Sequence, residues 1–310
     1  MKKICFLLNK IGRIEPHNYY LLCNAAIDLN HSVCLCDIDT LKLVHDKIIA
    51  DTVALKKPLV IDERVNAEQI TANLADFDLV WLMSFGMRKS YLDKIQMLSL
   101  LQKQTRLINS VEALHLLGNK YSLPTNPHFQ TPATYASKNA DYLWQLFRNS
   151  QKKWIVKPPA ESRGRNVFLL DPDDSNARVI LEMMTGNDSS QYCIMQEYID
   201  KSRDGEKRIL LCRDQIITYY QRLPDKRQHR NNLHAGATAI PCRLSENELK
   251  LCQNIGDVYR KTGAVFMGID LIYPFVLEIN VINPGGLKTA LDMSGKNHSY
   301  KLINSILQRY

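Results

Sequence analysis

Residues 265–282 constrain this chain more than any other stretch. Val265-Phe266-Met267-Gly268-Ile269-Asp270-Leu271-Ile272 reads as a buried strand, Tyr273-Pro274 begins a turn, and Phe275-Val276-Leu277-Glu278-Ile279-Asn280-Val281-Ile282 reads as the return strand. Side chains of a strand alternate between its faces. Glu278 and Asn280 then share one face, and Phe275, Leu277, Ile279 and Val281 the other. A three-residue loop would set Asp270 opposite Glu278 and Gly268 opposite Asn280. Adjacent carboxylates repel unless a positive charge lies between them. Oxygen-only ligands suit magnesium, which takes one or two carboxylates and completes its shell with phosphate oxygens and water. A lone acid on such a hairpin would be a solvated surface residue. Three oxygen ligands on apolar strands, followed by Asn283-Pro284-Gly285-Gly286, point to a metal site.

The 310 residues are 45% hydrophobic and 23% charged. That balance describes a globular chain whose core needs no disulfide or metal staples. No apolar run reaches the length of a membrane span. Met1-Lys2-Lys3-Ile4-Cys5-Phe6-Leu7-Leu8 is basic and then apolar, but Asn9-Lys10 interrupts it without a cleavage site. A first strand and a cytoplasmic chain are expected, rather than a signal peptide. The eight cysteines contain no pair of CxxC motifs, which argues against zinc, and reduced thiols are expected. Forty Lys and Arg against 32 Asp and Glu leave a net charge of +8. Such a balance suits nucleic acid or anionic substrates. The basic residues form no long run and no aromatic interleaving, so small anionic substrates are favoured over nucleic acid.

The first part alternates strand patterns (3–8, 32–37, 78–83, 106–109) with helical ones (19–29, 91–103). This rhythm predicts a small parallel sheet. Pro124, Pro127 and Pro132 mark a connector. A helix at 140–147 and strands at 154–157 and 166–170 form a small α+β unit. A strand at 192–197 leads into a third unit. That unit holds strands at 207–213 and 215–221, a polar loop at 223–237, a helix at 246–262 capped by Ser245, the acidic hairpin and a last helix. The expected units are 1–118, 119–190 and 191–310.

A metal-nucleotide site also needs cations for the phosphates. Lys157 ends a strand just before a loop, and Lys120 stands at the entry to the second unit. Gln196-Glu197-Tyr198-Ile199-Asp200 closes a strand whose backbone could meet an adenine edge. Arg208 and Arg222 lie on strands, and Arg230 in a polar loop with Asn231 and Asn232. The arginine fork suits carboxylate and phosphate. Taken singly, the lysines are weak signals, the strand end reads equally well as a strand running out, and each arginine reads more readily as a surface residue.

The order of these pieces resembles the ATP-grasp ligases, and most closely the bacterial glutathione synthetases. The match covers nearly the whole length. It rests on Met195-Gln196-Glu197-Tyr198-Ile199, Asp204-Gly205-Glu206-Lys207-Arg208, Arg230-Asn231-Asn232-Leu233-His234-Ala235-Gly236, Gly268-Ile269-Asp270-Leu271-Ile272 and Glu278-Ile279-Asn280-Val281. The resemblance implies an α/β and α+β ATP-grasp fold with an N-terminal βαβ substrate domain, a small lid and a C-terminal unit carrying the metal site. It implies that Lys120 and Lys157 contact nucleotide phosphates. Gln196, Glu197, Tyr198 and Ile199 would line the adenine, through the backbone of Glu197 and Ile199, with Asp204 near the ribose. Arg208 would sit near the phosphates. Arg222 and Arg230 would hold the acceptor carboxylate or the transferred phosphoryl group, with Asn232 alongside. Asp270, Glu278 and Asn280 would hold two magnesium or manganese ions, and Asn283, Gly285 and Gly286 would meet a second substrate's carboxylate.

The chemistry implied is attack of a carboxylate on the γ-phosphoryl group of ATP, giving an acyl phosphate that an amine converts to an amide. Loops at 160–166 and 224–235 would close over it. Three segments depart from the glutathione synthetase pattern. Met83-Ser84-Phe85-Gly86-Met87-Arg88 stands where an acidic-Pro-Pro-Phe segment is usual, the small loop keeps only Gly164, and Ile282-Asn283-Pro284-Gly285-Gly286 replaces a Thr-Ser-Pro continuation. Glutathione synthesis from γ-glutamylcysteine and glycine is the leading expectation. A ligase for another acid and amine, or a non-catalytic ATP-binding module, is the alternative. The partners expected are small molecules, with no nucleic acid and no membrane, and the resemblance implies a homo-oligomer.

Overall fold

The computed structural model describes residues 1–65, 67–159, 164–186, 188–225, 231–233 and 236–308. Among these residues the strands form three sheets. The first contains β1 (Lys3–Leu8), β2 (Ser32–Asp37), β3 (Lys42–Val44), β4 (Lys47–Leu55), β5 (Ile70–Asn73), β6 (Leu79–Leu82) and β7 (Arg106–Ile108). Their order is β3-β4-β2-β1-β6-β7, with β5 paired to β4. The run β2-β1-β6-β7 is parallel, as the βαβ rhythm predicts. β3, β4 and β5 add antiparallel pairs that the rhythm does not reveal, so the sheet is mixed. Helices α1 (Asn18–Asp28), α2 (Tyr91–Leu101) and α3 (Val111–Leu117) connect or follow its parallel strands.

The second sheet has β8 (Thr134–Ser137), β9 (Trp154–Lys157), β10 (Phe168–Leu170) and β11 (Cys193–Glu197) in the order β10-β9-β11-β8. Helices α4 (Ala140–Arg148) and α5 (Ala177–Thr185) pack on it. β11 pairs with β9 and β8, so the small sheet reaches Glu197, past the expected boundary at 190. The third sheet is antiparallel: β12 (Glu206–Cys212), β13 (Gln215–Leu223), β14 (Thr238–Ile240), β15 (Phe266–Ile272) and β16 (Phe275–Asn280), in the order β14-β13-β12-β15-β16. Helix α6 (Glu246–Arg260) begins at the expected Ser245 cap, which forms a reciprocal capping box with Glu248. Two helices close the chain rather than one, α7 (Leu287–Ser294) and α8 (Ser299–Leu307), separated after the left-handed Gly295.

The first and third sheets share their core. Cys5, Leu7, Val80 and Leu82 lie in one apolar cluster with Ile209, Met267, Ile269 and Val276. On the other side Trp81 meets Phe266 edge-on at 5.9 Å. The small sheet keeps a separate cluster built on Leu143, Phe147, Trp154, Leu181 and Met195. A lid with its own core therefore stands against a body in which the N-terminal sheet and the hairpin sheet are one packed unit. Asn109, 1% exposed, stitches that body together. Its amide donates to Phe266 O at 2.7 Å and Val281 O at 2.6 Å, and accepts from the N–H groups of Val265 at 2.6 Å and Phe266 at 2.9 Å. All eight cysteines are free. No described helix is long and apolar enough to cross a membrane.

Candidate active site

The hairpin pairs Asp270 with Glu278 and Gly268 with Asn280. The route to that register differs from the expected three-residue loop. Ile272 pairs with Phe275, so the turn is only Tyr273-Pro274, and Leu271 pairs with Val276. The register then shifts by one residue, leaving Leu277 as a bulge. Without it, Asp270 would face Leu277. The bulge also breaks the strict alternation: Val276 and Ile279 enter the core, while Leu277 remains half-buried.

On the other side of β15, Arg208 is the cross-strand partner of Asp270. Arg208 Nε lies 3.0 Å and Arg222 NH2 2.6 Å from Asp270 Oδ1. These three side chains are 8%, 4% and 7% exposed for Arg208, Arg222 and Asp270. Gly268 makes room for them: a Cβ there would lie 2.7 Å from Arg208 NH1 and 2.5 Å from the Pro284 ring. Arg222 also ion-pairs with Glu206, its partner across β12 and β13. Sequence reading did not single out Glu206; Asp204, expected near the ribose, is exposed in the turn that leads into β12. Alternation from Arg208 was the available signal, since Glu206 lies two residues away on the same strand face.

Burial works against the Arg222 cation, but Asp270 and Glu206 outweigh it and hold its pKa above that of ordinary arginine. Burial pushes the Glu206 carboxyl up to about 7; Arg222 and Arg208 pull it down, and Asp270 and Glu278 push it up. A carboxyl raised on folding contributes stability below its unfolded pKa, and that contribution is lost as pH rises through the folded one. The unliganded protein should therefore lose stability from this group between pH 4.5 and about 7. The ceiling is about 3 kcal/mol. Glu206→Gln should flatten that part of the Tm profile. Coincident wild-type and variant profiles would remove Glu206 as the cause.

Two lysines approach these acids, Lys157 at the end of β9 in the lid and Lys120 in the connector after α3. Lys120 Nζ stands 3.6 Å from Glu278 Oε1 and donates to Pro159 O at 3.2 Å. Lys157 Nζ donates to Gln196 Oε1 at 2.8 Å, and Gln196 Nε2 donates to Thr134 Oγ1 at 3.2 Å. Burial lowers the Lys157 pKa and Lys120 adds to this, while Glu278, Glu206 and Asp270 raise it. Thus both lysines belong to the electrostatic neighbourhood of the hairpin acids. At the end of β11, Tyr198 N–H is already bonded to Lys153 O at 2.9 Å and Glu197 N–H to Ala133 O at 2.8 Å. The Glu197 carboxylate pairs with Lys152 at 2.8 Å. Ile199 O accepts from Ser202 N–H at 2.8 Å, and among the described residues nothing accepts from Ile199 N–H. Of this backbone, Ile199 N–H is the donor left for a ligand.

Asn232 is half-buried beside Asn231, whose Nδ2 donates to Ser202 O at 3.2 Å. Arg230 and most of the two expected closing loops lie outside the described residues. Asn283, Gly285 and Gly286 form the turn between β16 and α7, and Asn18 at the start of α1 holds that turn. Nothing in the sequence around Asn18 marked it.

The donor set suits a hard divalent cation. With Nδ2 turned toward Glu278, the Asn280 amide donates to Oε1 at 3.0 Å and accepts from Arg208 NH1 at 3.2 Å. Turned the other way, two acceptor oxygens face each other, which is favourable only with a cation between them. Asp270 Oδ1 is buried, and although two arginines approach it, neither is aligned as a hydrogen bond. The residues fit a metal held by Asp270, Glu278 and Asn280.

Comparison with known proteins agrees with this geometry. Residues 120–295 match the family model of the prokaryotic glutathione synthetase ATP-grasp domain. The chain is 27% identical to a glutathione synthetase of Synechococcus elongatus over 94% of both chains. It is 34% identical to one of Agrobacterium fabrum over 56% of this chain and 54% of the relative. Among solved structures, the D-cycloserine synthetase DcsG superposes with a TM-score of 0.69 at 14% identity, covering 99% of each chain. A RimK-domain ATP-grasp protein of Sphaerobacter thermophilus gives 0.64 at 14% identity, over 98% of this chain and 99% of that one. The chain belongs to the prokaryotic glutathione synthetase family of the ATP-grasp fold, and is an ATP-dependent carboxylate–amine ligase that works with a divalent metal.

Proposed function

We propose that this protein joins γ-glutamylcysteine to glycine, forming glutathione through an acyl phosphate, with two magnesium ions held by Asp270, Glu278 and Asn280. The observation that carries the reading is the convergence of those residues with Arg208, Arg222, Lys120 and Lys157. That convergence occurs in a chain related over almost its whole length to a glutathione synthetase. Bound metal supplies charge neutralisation and alignment of the phosphoryl group.

The chain's own residues do the rest. Lys120 and Lys157 exchange carboxylate and amide partners for phosphate oxygens when the nucleotide arrives. Ile199 N–H meets the adenine edge. The buried guanidiniums of Arg208 and Arg222 face negative charge as it moves from the γ-phosphoryl group to departing ADP. The substrate carboxylate oxygen forms the new bond to phosphorus as the bond to ADP breaks. The amine nitrogen then attacks the acyl carbon, loses a proton and expels phosphate. The lid carrying Lys157 shields the acyl phosphate from water.

Incubated with Mg-ATP, γ-glutamylcysteine and glycine, the protein should release ADP in step with tripeptide. No ADP above the rate with glycine omitted would overturn the glutathione reading.

A second reading, a ligase for another acid–amine pair, is favoured by the loop after β6. Lys94, 3% exposed, ion-pairs with Asp39 and donates to Phe85 O at 2.8 Å and Met87 O at 3.2 Å. Met87 N–H returns to the Asp39 carboxylate at 3.2 Å. This clasp fixes a loop of different composition at the carboxyl edge of the parallel strands, where ligands of such sheets bind. ADP release across a panel of amino acids and dipeptides separates the two readings.

A further inference from the structure

Two buried asparagines from the first sheet's half of the body hold the segment that follows Asn280. Asn109 takes Val281 O, and Asn18 takes the next turn. Asn18, 4% exposed, is the first residue of α1. Its Nδ2 donates to Pro284 O at 2.6 Å and Asn283 Oδ1 at 3.2 Å, and its Oδ1 accepts from Leu287 N–H at 3.2 Å. One amide thus fixes both ends of the Asn283–Leu287 turn from more than 260 residues away in sequence.

Pro284, Gly286 and Leu287 are buried, and among the described residues Asn18 supplies the side-chain hydrogen bonds to this turn. Pro284 has no N–H, and Gly285 and Gly286 have no side chains and the greatest backbone freedom. Gly286 sits at φ +145°, and the space beside Gly285 is open to 4 Å. A Cβ on Gly268 would meet both Pro284 and Arg208 NH1, so the turn borders the arginine pair. Gly286 provides no side-chain cap to α7, and Asn18 is bonded to the first helical N–H. The next N–H groups, of Lys288 and Thr289, have no intrahelical acceptor.

We propose that Asn18 is a positioning residue for the amine substrate: it shapes the Asn283–Leu287 turn so that the amine's carboxylate meets preset donors beside Arg208. The proposal rests on the ligase reading above. Among the described residues, the hydrogen bonds of the Asn18 side chain all go to this turn, and none goes to Lys120, Lys157 or the end of β11. Its loss should therefore separate the amine from the nucleotide, which loss of a merely structural bond would not do.

Asn24, on the same helix, gives the control. Its amide donates to Leu59 O at 2.9 Å and accepts from Leu59 N–H at 2.7 Å, away from the site. Steady-state kinetics with γ-glutamylcysteine and glycine would compare Asn18→Ala, Asn18→Asp and Asn24→Ala. Asn18→Asp keeps an acceptor for Leu287 N–H, loses both donors and preserves shape should alanine fail to fold. Both Asn18 variants should raise the glycine KM about tenfold and move the ATP KM less than about twofold, with Asn24→Ala near wild type. Hydrogen exchange of the Mg-ADP complex should quicken at 283–290 in the Asn18 variants only. A glycine KM no higher than that of Asn24→Ala, or an ATP KM raised equally, overturns the proposal. If the wild type makes no glutathione, that reading fails by itself. Hydrogen exchange then decides for Asn18: faster exchange confined to its variants supports it, and unchanged exchange sinks it.

Discussion

Asp270→Asn is expected to lower ADP formation at least about a thousandfold while leaving the protein folded. The substitution is nearly isosteric, so it tests charge rather than shape. Asp270 stands opposite Glu278 on one side and Arg208 on the other, and Arg222 reaches it from the next strand. Its neutralisation removes the proposed metal ligand and, at the same time, the anion that faces both guanidiniums. Glu206 remains as counter-ion to Arg222, but Arg208 loses its nearest carboxylate. Breaking a buried pair from one side costs about 3–5 kcal/mol when nothing replaces the partner. The retained Glu206 should keep the loss of stability below that limit. Activity, Tm and Mg-ADP binding measured on one preparation would separate the effects. Turnover within tenfold of wild type, as a ratio, would remove Asp270 from the metal site.

The largest effect on stability is expected from Asn109→Leu. Leucine matches the volume but leaves four backbone groups without their partners: two carbonyls, Phe266 and Val281, and two N–H groups, Val265 and Phe266. An unsatisfied buried polar group costs about 1–3 kcal/mol, so a loss of at least about 4 kcal/mol should appear in the denaturant midpoint. Asn109→Asp keeps the acceptor and loses the donors, and should fall between wild type and leucine. Because these bonds hold the start of β15 and the residue after Asn280, surviving activity should fall more steeply with temperature in the leucine variant. A leucine variant within 1 kcal/mol of wild type would mean that water or a shifted backbone meets these groups instead.

Strands β1, β2, β6, β7, β9, β12, β13 and the hairpin were legible because each carries its own apolar run between turn residues. The antiparallel additions β3–β5 were not: β3 and β5 are short and exposed or half-buried, and β4 alternates buried with more exposed positions without an apolar run of its own. β11 was placed in the wrong unit for a related reason. Its apolar pattern says that it is buried, while its partners β8 and β9 are known only once the lid is folded. Lys94 and Asp39 show the same limit. A lysine on a helix and an acid after a strand read as surface charges until the loop after β6 wraps around them.

In the site itself, residue type and period were enough to bring Asp270, Glu278 and Asn280 together as candidate oxygen ligands, because side-chain alternation is local. The motif order was enough to attach Lys120, Lys157, Arg208 and Arg222 to them. Packing alone decided how they meet. The Leu277 bulge sets the register, since a two-residue turn would otherwise oppose Asp270 with an apolar side chain. Glu206 joins the arginines through a cross-strand pair, and Asn18 and Asn109 hold the hairpin and its exit from over 150 residues away. A buried ion pair or amide is defined by its partners' positions, and those exist only when distant strands have closed on one another.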